Sequence, residues 1–157
     1  MLFQQLNRTD AEKVFIICRN TSGASLAANL PVYFETDAVS DGNAVSQMVS
    51  GGNLLFAGIN NATLADDAYG LVQVYGYRQS CVVAPIGTSF TLAPGGRLTG
   101  VAGAAYLQYA SMLSAGITTE ALLLAALDKS VVSMETIAAV SSDSATQNAV
   151  VFIKALG

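Results

Sequence analysis

Histidine is absent from the 157 residues. That removes the proton shuttle of Ser-His-Asp and Cys-His catalysis and the commonest ligand of zinc and non-haem iron. Cysteine is scarce: Cys18 and Cys81 are the only two, too few for a structural zinc site without histidine. Both lie in apolar, strand-like runs, and no secretory signal precedes them, so reduced, buried thiols are expected in preference to a disulfide. Charge is scarce as well, 11% of residues against about 25% in an average globular protein. The seven Lys and Arg do not cluster and the net charge is −4, which argues against nucleic-acid binding. Uninterrupted apolar runs are missing too. Gln4, Gln5, Asn7 and Asp10 break any signal-peptide core, and no signal peptide is expected. Gln108, Ser111, Ser114, Thr118, Thr119 and Glu120 break the stretch from Val101 to Leu127, so a soluble protein with no membrane partner is expected. No phosphate loop is present, since Gly95-Gly96-Arg97 lacks the Lys-Ser/Thr that should follow, and Gly70 to Gly76 has the wrong spacing for a dinucleotide fingerprint.

What is present is apolar: 52% hydrophobic residues and a mean hydropathy of +0.48. One domain spanning 1–157 is expected, large enough for its own core. Charges crowd the first quarter (Arg8, Asp10, Glu12, Lys13, Arg19, Glu35, Asp37, Asp41), whereas Gln79 to Leu127 holds only Arg97 and Glu120. A surface of uncharged Ser, Thr, Gln and Asn would be wettable. The preferred reading is that the middle and C-terminal part hides apolar surface against other subunits.

The dominant stretch runs from Tyr69 to Ala84. A period-two reading puts Tyr69, Leu71, Gln73, Tyr75, Tyr77, Gln79, Cys81 and Val83 on one face and Val72, Val74, Ser80 and Val82 on the other, with Gly70 and Gly76 interrupting. Neither face is polar, which predicts a long central strand with both sides covered, its glycines marking bends or close backbone approach. Further strands are expected over Val14 to Asn20, Leu30 to Thr36 (Pro31 at an edge or a strand start), Leu54 to Ile59, Ser89 to Leu92, Ser130 to Val140 and Ala149 to Leu156, and an apolar pattern resumes from Leu98 onward. A short helical piece is expected around Ala44 to Val49. Strand and helix compete over Ala104 to Ala110. Thr118 to Leu127 is the best helix candidate, with a Thr cap and Glu120 in its first turn. Residues 1–13 read as an arm, a short helix or a frayed end. The pattern implies a mainly β fold, a small β-barrel, β-tulip-like or sandwich domain with one or two short helices, without internal repeat or linker.

Chemistry is left to carboxylates. Asp66-Asp67 suits a glycosidase-like pair or a calcium site only if both point to one side, and the preferred reading is a solvated loop. Glu35, Asp37, Asp41 and Asn43 supply oxygen ligands without the spacing of a calcium loop. Tyr69, Tyr75, Tyr77, Tyr106 and Tyr109 have no interleaved basic residues, which favours core and interface packing over stacking on bases or sugars. Neither catalytic residues nor a cofactor or metal site are expected.

Several strings together resemble the small head-decoration, or cement, proteins of tailed bacteriophages. They are Phe56-Ala57-Gly58-Ile59, Gly70-Leu71-Val72-Gln73-Val74-Tyr75-Gly76, Gly95-Gly96-Arg97-Leu98, and the ending Ala149-Val150-Val151-Phe152-Ile153-Lys154-Ala155-Leu156 after a Thr/Ser/Ala-rich turn. The likeness covers roughly residues 50 to 157 and fails over Tyr106 to Leu127. It implies a non-enzymatic virion protein on the capsid surface, made in the host cytoplasm, a homotrimer that bridges major capsid protein subunits. On that basis Leu2, Phe3 and Leu6 of the arm are the expected capsid contacts, and Tyr75 and Tyr77 the expected subunit contacts. The competing readings are a phage tail or fibre-base module and a sugar- or small-molecule-binding β-barrel.

Overall fold

The computed structural model describes residues 12–35, 42–47, 55–84, 91–100, 104–109, 130–138 and 146–155. Among these residues nine strands follow in chain order: β1 (Lys13–Asn20), β2 (Pro31–Phe34), β3 (Ala44–Ser46), β4 (Phe56–Asn60), β5 (Tyr69–Ala84), β6 (Arg97–Gly100), β7 (Leu107–Tyr109), β8 (Ser130–Ser133) and β9 (Gln147–Lys154). The fold is mainly β and barrel-like, and its ladder of pairings closes twice.

The first ring runs β1-β3-β2-β4-β5 and returns to β1. The second runs β5-β7-β6-β8-β9 and returns to β5. The 16-residue β5 belongs to both, its first half closing one ring and its second half opening the other. Membership of both rings gives β5 pairing partners along its whole length. It also explains where strict alternation fails. β5 bulges relative to β1 after Gln73 and relative to β9 between Arg78 and Cys81. The bulge between Arg78 and Cys81 switches side-chain parity, so Cys81 and Val83 are buried although the simple period groups them with exposed Tyr69 and Leu71.

The rings are copies of one unit, contrary to the expectation of no internal repeat. In each, the first strand pairs in parallel with the third, and every other pairing is antiparallel. The registers coincide as well. Val32↔Gly58 matches Leu98↔Val131, Phe34↔Val45 matches Gly100↔Leu107, Asn60↔Val72 matches Ser133↔Val151, and Cys18↔Gly70 matches Cys81↔Ala149. Outside the strands, the bridge Leu26↔Leu64 has its counterpart in Leu92↔Ile137. The bridges sit in four similar tripeptides, Ser25-Leu26-Ala27, Thr63-Leu64-Ala65, Thr91-Leu92-Ala93 and Thr136-Ile137-Ala138, each with its middle residue buried and its flanks exposed. In three of them the residue three beyond the middle has positive φ: Asn29, Asp67 and Gly95. Asn, Asp and Gly are the residues that tolerate that turn conformation.

The equivalent positions fill one continuous core. Cys18 and Cys81, Leu26 and Leu92, Val32 and Leu98, Val45 and Leu107, Leu64 and Ile137, and Val72 and Val151 are all buried in a single cluster. Burial of each large aliphatic chain contributes about 1.5–3 kcal/mol relative to exposure. Two glycines allow the backbones to close up. Gly58 has φ 148°, and a Cβ there would overlap the Gln73 carbonyl on the neighbouring strand; Gly76 has φ 100°, and a Cβ there would overlap the Glu12 carbonyl where the chain enters β1.

The expected strands correspond to β1, β2, β4, β5, β8 and β9, with Pro31 opening β2, and the apolar pattern from Leu98 onward begins in strand β6. The run from Ser89 to Leu92 reduces, over its described residues, to the Leu92 bridge. The helical piece near Ala44 is a correction: Ala44–Ser46 is strand β3, held between β1 and β2. Where strand and helix competed near Ala104, Leu107–Tyr109 is strand β7. The helix candidate Thr118 to Leu127 lies outside the described residues.

Candidate interaction surface

Alternation along β1 and β5 leaves one side of the first ring's wall apolar and uncovered. Ile17 faces Leu71 directly across the pair, and Arg19 faces Tyr69. Ile17 is 65% exposed, Tyr69 61% and Leu71 46%, with Phe15 and Val14 exposed beside them. Arg19 donates to Asp67 at 2.8 Å at the end of this patch. Across β5 the outward row continues into the second ring, where Tyr75 pairs with Lys154 and Tyr77 with Phe152, which in turn pairs with Val132. Tyr75 packs edge-on against Phe152 with centroids 5.3 Å apart. Both tyrosines are half-buried, whereas Lys154 is exposed. Exposed Met134 follows β8 directly. Among the described residues, five of the six large exposed hydrophobics lie on β1 and β5, partly in the charge-rich first quarter, where composition gave no hint of an apolar surface.

Under this wall, where the rings meet, lies a polar cluster that sequence patterning missed. Arg78 is buried, and each of its partners is a neutral oxygen. It donates to the carbonyls of Ser80 (2.9 Å) and Asn60 (2.9 Å) and to the side-chain oxygens of Asn29 (2.6 Å), Gln73 (3.2 Å) and Asn61 (3.3 Å). Gln73 in turn donates to the Tyr75 and Tyr77 carbonyls. Burial lowers the Arg78 pKa, and the neighbouring Cys81 partly offsets this. Arg78 therefore stands in the second ring's strand and ties down the β1–β2 loop and the end of β4. Asn20 does a similar job locally, donating to Ala24, Leu64 and Ala65 carbonyls and accepting from Ser22. The available signal was a charged or amide side chain inside an otherwise apolar run.

Asp66 and Asp67 lie in an exposed loop, as expected. Asp66 accepts from the Gly23 amide at 3.0 Å, and Asp67 pairs with Arg19. They serve loop anchoring and form no converging carboxylate pair. Among the described residues no group of three His, Cys, Asp or Glu side chains could hold a metal ion, and no helix is long and apolar enough to cross a membrane. Asp37 and Asp41 lie outside the described residues, as do Leu2, Phe3 and Leu6. Cys18 and Cys81 are buried and free. Burial pushes the Cys18 thiol up to about 11 and the Cys81 thiol up to about 12, with Arg78 opposing the latter. The Tyr33 hydroxyl, buried beside Cys81, is raised mainly by desolvation and has no hydrogen-bond partner among the described residues. No protein-family model matches the chain, and no curated protein is detectably similar to it.

Proposed function

We propose that this protein is a non-enzymatic structural component of a virion, a decoration protein that stabilises a tailed-phage capsid by bridging major capsid protein subunits. The observation that carries the reading is the outward wall of β1 and β5, where Phe15, Ile17, Tyr69 and Leu71 stand exposed on a chain with few charges. A patch of that kind is an interaction site more often than a tolerated surface. The phage-like strings support it from a second direction: they fall in β4, in β5, at the turn into β6, and in β9. The described residues are held by backbone pairing and apolar burial, which suits a passive clamp. Many copies on one particle would multiply a modest contact by avidity. Self-association as a homotrimer belongs to the same proposal, with Tyr75 and Tyr77 on the outward row near the subunit contact.

The test is to add purified protein to expanded capsids that lack it. Saturable binding to the heads and a rise in the temperature at which the particles rupture are expected. Labelled protein found on tails would favour the tail-module reading, and binding to neither would end both.

A further inference from the structure

One edge of β1 is unpaired over most of its length. The Asn20 amide donates to the Ala68 carbonyl at 2.9 Å, and the pairs Cys18↔Gly70 and Ile16↔Val72 continue that ladder. Even-numbered residues of β1 therefore bond to β5, and odd-numbered ones turn their N–H and C=O groups the other way. Arg19 meets β3 on that side, donating to the Asn43 carbonyl at 3.0 Å. Gly42, with φ 74°, turns the chain just before β3. From Ile17 back to Lys13, no strand among the described residues pairs with this edge.

Charged side chains, proline and bulges are the usual guards of an open edge. The run Val14-Phe15-Ile16-Ile17 holds no charge and no proline. The irregularity at this level puts its extra residue, Val74, on β5, since Val14 pairs with Tyr75 and Phe15 with Gln73. β1 is also open on both faces: Val14 stands 37% exposed on one, Phe15 and Ile17 exposed on the other. Adding a strand to such an edge is a recurring mode of association.

We propose that two copies of this chain pair β1 to β1, antiparallel, about a two-fold axis at Phe15. The inference rests on the reading of the protein as a self-associating structural component, and it names the edge that meets. A second copy suits this edge because the strand is complementary to itself. With Phe15 opposite Phe15, Lys13 falls opposite Ile17 and Val14 opposite Ile16, so no like charges meet and about six backbone hydrogen bonds form. Sliding the strands to set Phe15 against Ile17 would bring Lys13 against Arg19. Sliding them the other way sets Lys13 against Phe15 and carries Ile17 past the start of β1. In the chosen register exposed Val14 is covered by half-buried Ile16 of the other copy. The two-fold of an edge-to-edge pair stands perpendicular to the sheet, so the outer faces of both copies lie on the same side. Ile17, Leu71 and Tyr69 of the two copies then make one wider apolar wall, still open to a shell. The Tyr75 and Tyr77 row is left to three-fold association.

The full-length protein, without capsids, is examined by sedimentation over a range of concentrations. The assembled species is expected to hold an even number of chains. Ile17→Pro removes an outward N–H that the β5 ladder does not use, and should weaken the contact at least about 10-fold, leaving half that number. Its melting curve should match the dissociated wild type. Ile17→Thr keeps the N–H and should associate within about 5-fold of the wild type. In a second measurement, cysteine variants are mildly oxidised. Facing residues of a bonded antiparallel pair have Cα atoms about 5.5 Å apart, inside the disulfide range. Phe15→Cys alone should therefore give a covalent two-chain species, whereas Ile17→Cys should do so only when mixed with Lys13→Cys. Cys18 and Cys81 are buried and stay out of the reaction. An odd number of chains, an Ile17→Pro protein that assembles unchanged, or a Phe15→Cys protein that does not link would each overturn the pairing. So would a single-chain wild type whose Ile17→Pro variant loses capsid binding, since the edge would then take a capsid segment. Linked pairs that ignore capsids would overturn only the capsid reading.

Discussion

Cys18 and Cys81 occupy the same place in two successive rings, each fully buried and each opposite a small residue, Gly70 and Ala149. Desolvation holds both thiols protonated in the native state, with values near 11 and 12 against an ordinary 9.0. The unfolded chain ionises in the ordinary thiol range. Their contribution to stability is therefore complete below about pH 8.5. It is lost as pH rises through the folded values. The urea midpoint should hold steady from neutral pH to that limit and then decline, and Cys81→Ala should flatten the decline. A thiol reagent should label neither cysteine until the protein unfolds; labelling at the rate of a free thiol would contradict the burial.

Arg78 makes one guanidinium responsible for two rings. Replacing it with Met leaves the oxygens of Asn29, Asn60 and Gln73 without this donor. Orphaned buried acceptors cost about 1–3 kcal/mol each, with partial relaxation, so a loss of roughly 3 kcal/mol is expected. Arg78→Lys should recover only part of it, because three donors on a flexible stem cannot replace a five-donor fork. Denaturation followed separately by probes in each ring tests the coupling. Coincident transitions in the wild type should separate in Arg78→Met.

The glycines offer a controlled comparison. Gly76 and Gly23 both have positive φ, 100° and 73°. A Cβ at Gly23 meets open space, whereas at Gly76 it would overlap the Glu12 carbonyl. Gly23→Ala should cost about 1 kcal/mol, the usual backbone penalty. Gly76→Ala should cost at least about 2 kcal/mol more, since two strands must part. Chemical denaturation of both variants decides it, and equal losses would mean that β1 does not press on β5 at Gly76.

Much of the fold could be read from the residues because strands built of Val, Ile, Tyr and Leu announce themselves locally. Tyr69 to Ala84 was legible to the residue as a strand, but the cover expected on both its sides is absent at Tyr69 and Leu71, which stand exposed. The repeat was illegible because tertiary packing conserved burial and register, not residue identity. Val32 answers to Leu98, Asn60 to Ser133 and Gly58 to Val131, and unequal loops separate the matching strands. The two cysteines, Val72 with Val151, and the Ser/Thr-Leu/Ile-Ala tripeptides keep their chemistry. Ala44 to Ser46 misled because three residues carry no usable period, and only pairing with β1 and β2 makes them a strand. Counting by twos places Arg78 on the buried face of Val72 and Val74, but only the folded chain shows which oxygens of the β1–β2 loop and β4 meet it there.

Leu71 and Val72 are neighbours in sequence with opposite tasks, and this separates folding from assembly. Val72 is fully buried, whereas Leu71 is 46% exposed and faces Ile17 on the outer wall. Val72→Asp places a carboxylate in the core, where an unpaired charge is not tolerated, and a loss of more than about 4 kcal/mol is expected. Leu71→Asp should change stability by no more than about 0.5 kcal/mol, as surface substitutions do. If the outer wall is a docking surface, the same Leu71→Asp protein should bind capsids at least about 10-fold more weakly, because a charge desolvated in an apolar contact opposes association. Thermal melts and capsid co-sedimentation measure the two effects independently. A Leu71→Asp protein that melts normally and binds normally would show that the wall is idle. One that fails to fold would show that Leu71 packs on something its exposure does not reveal.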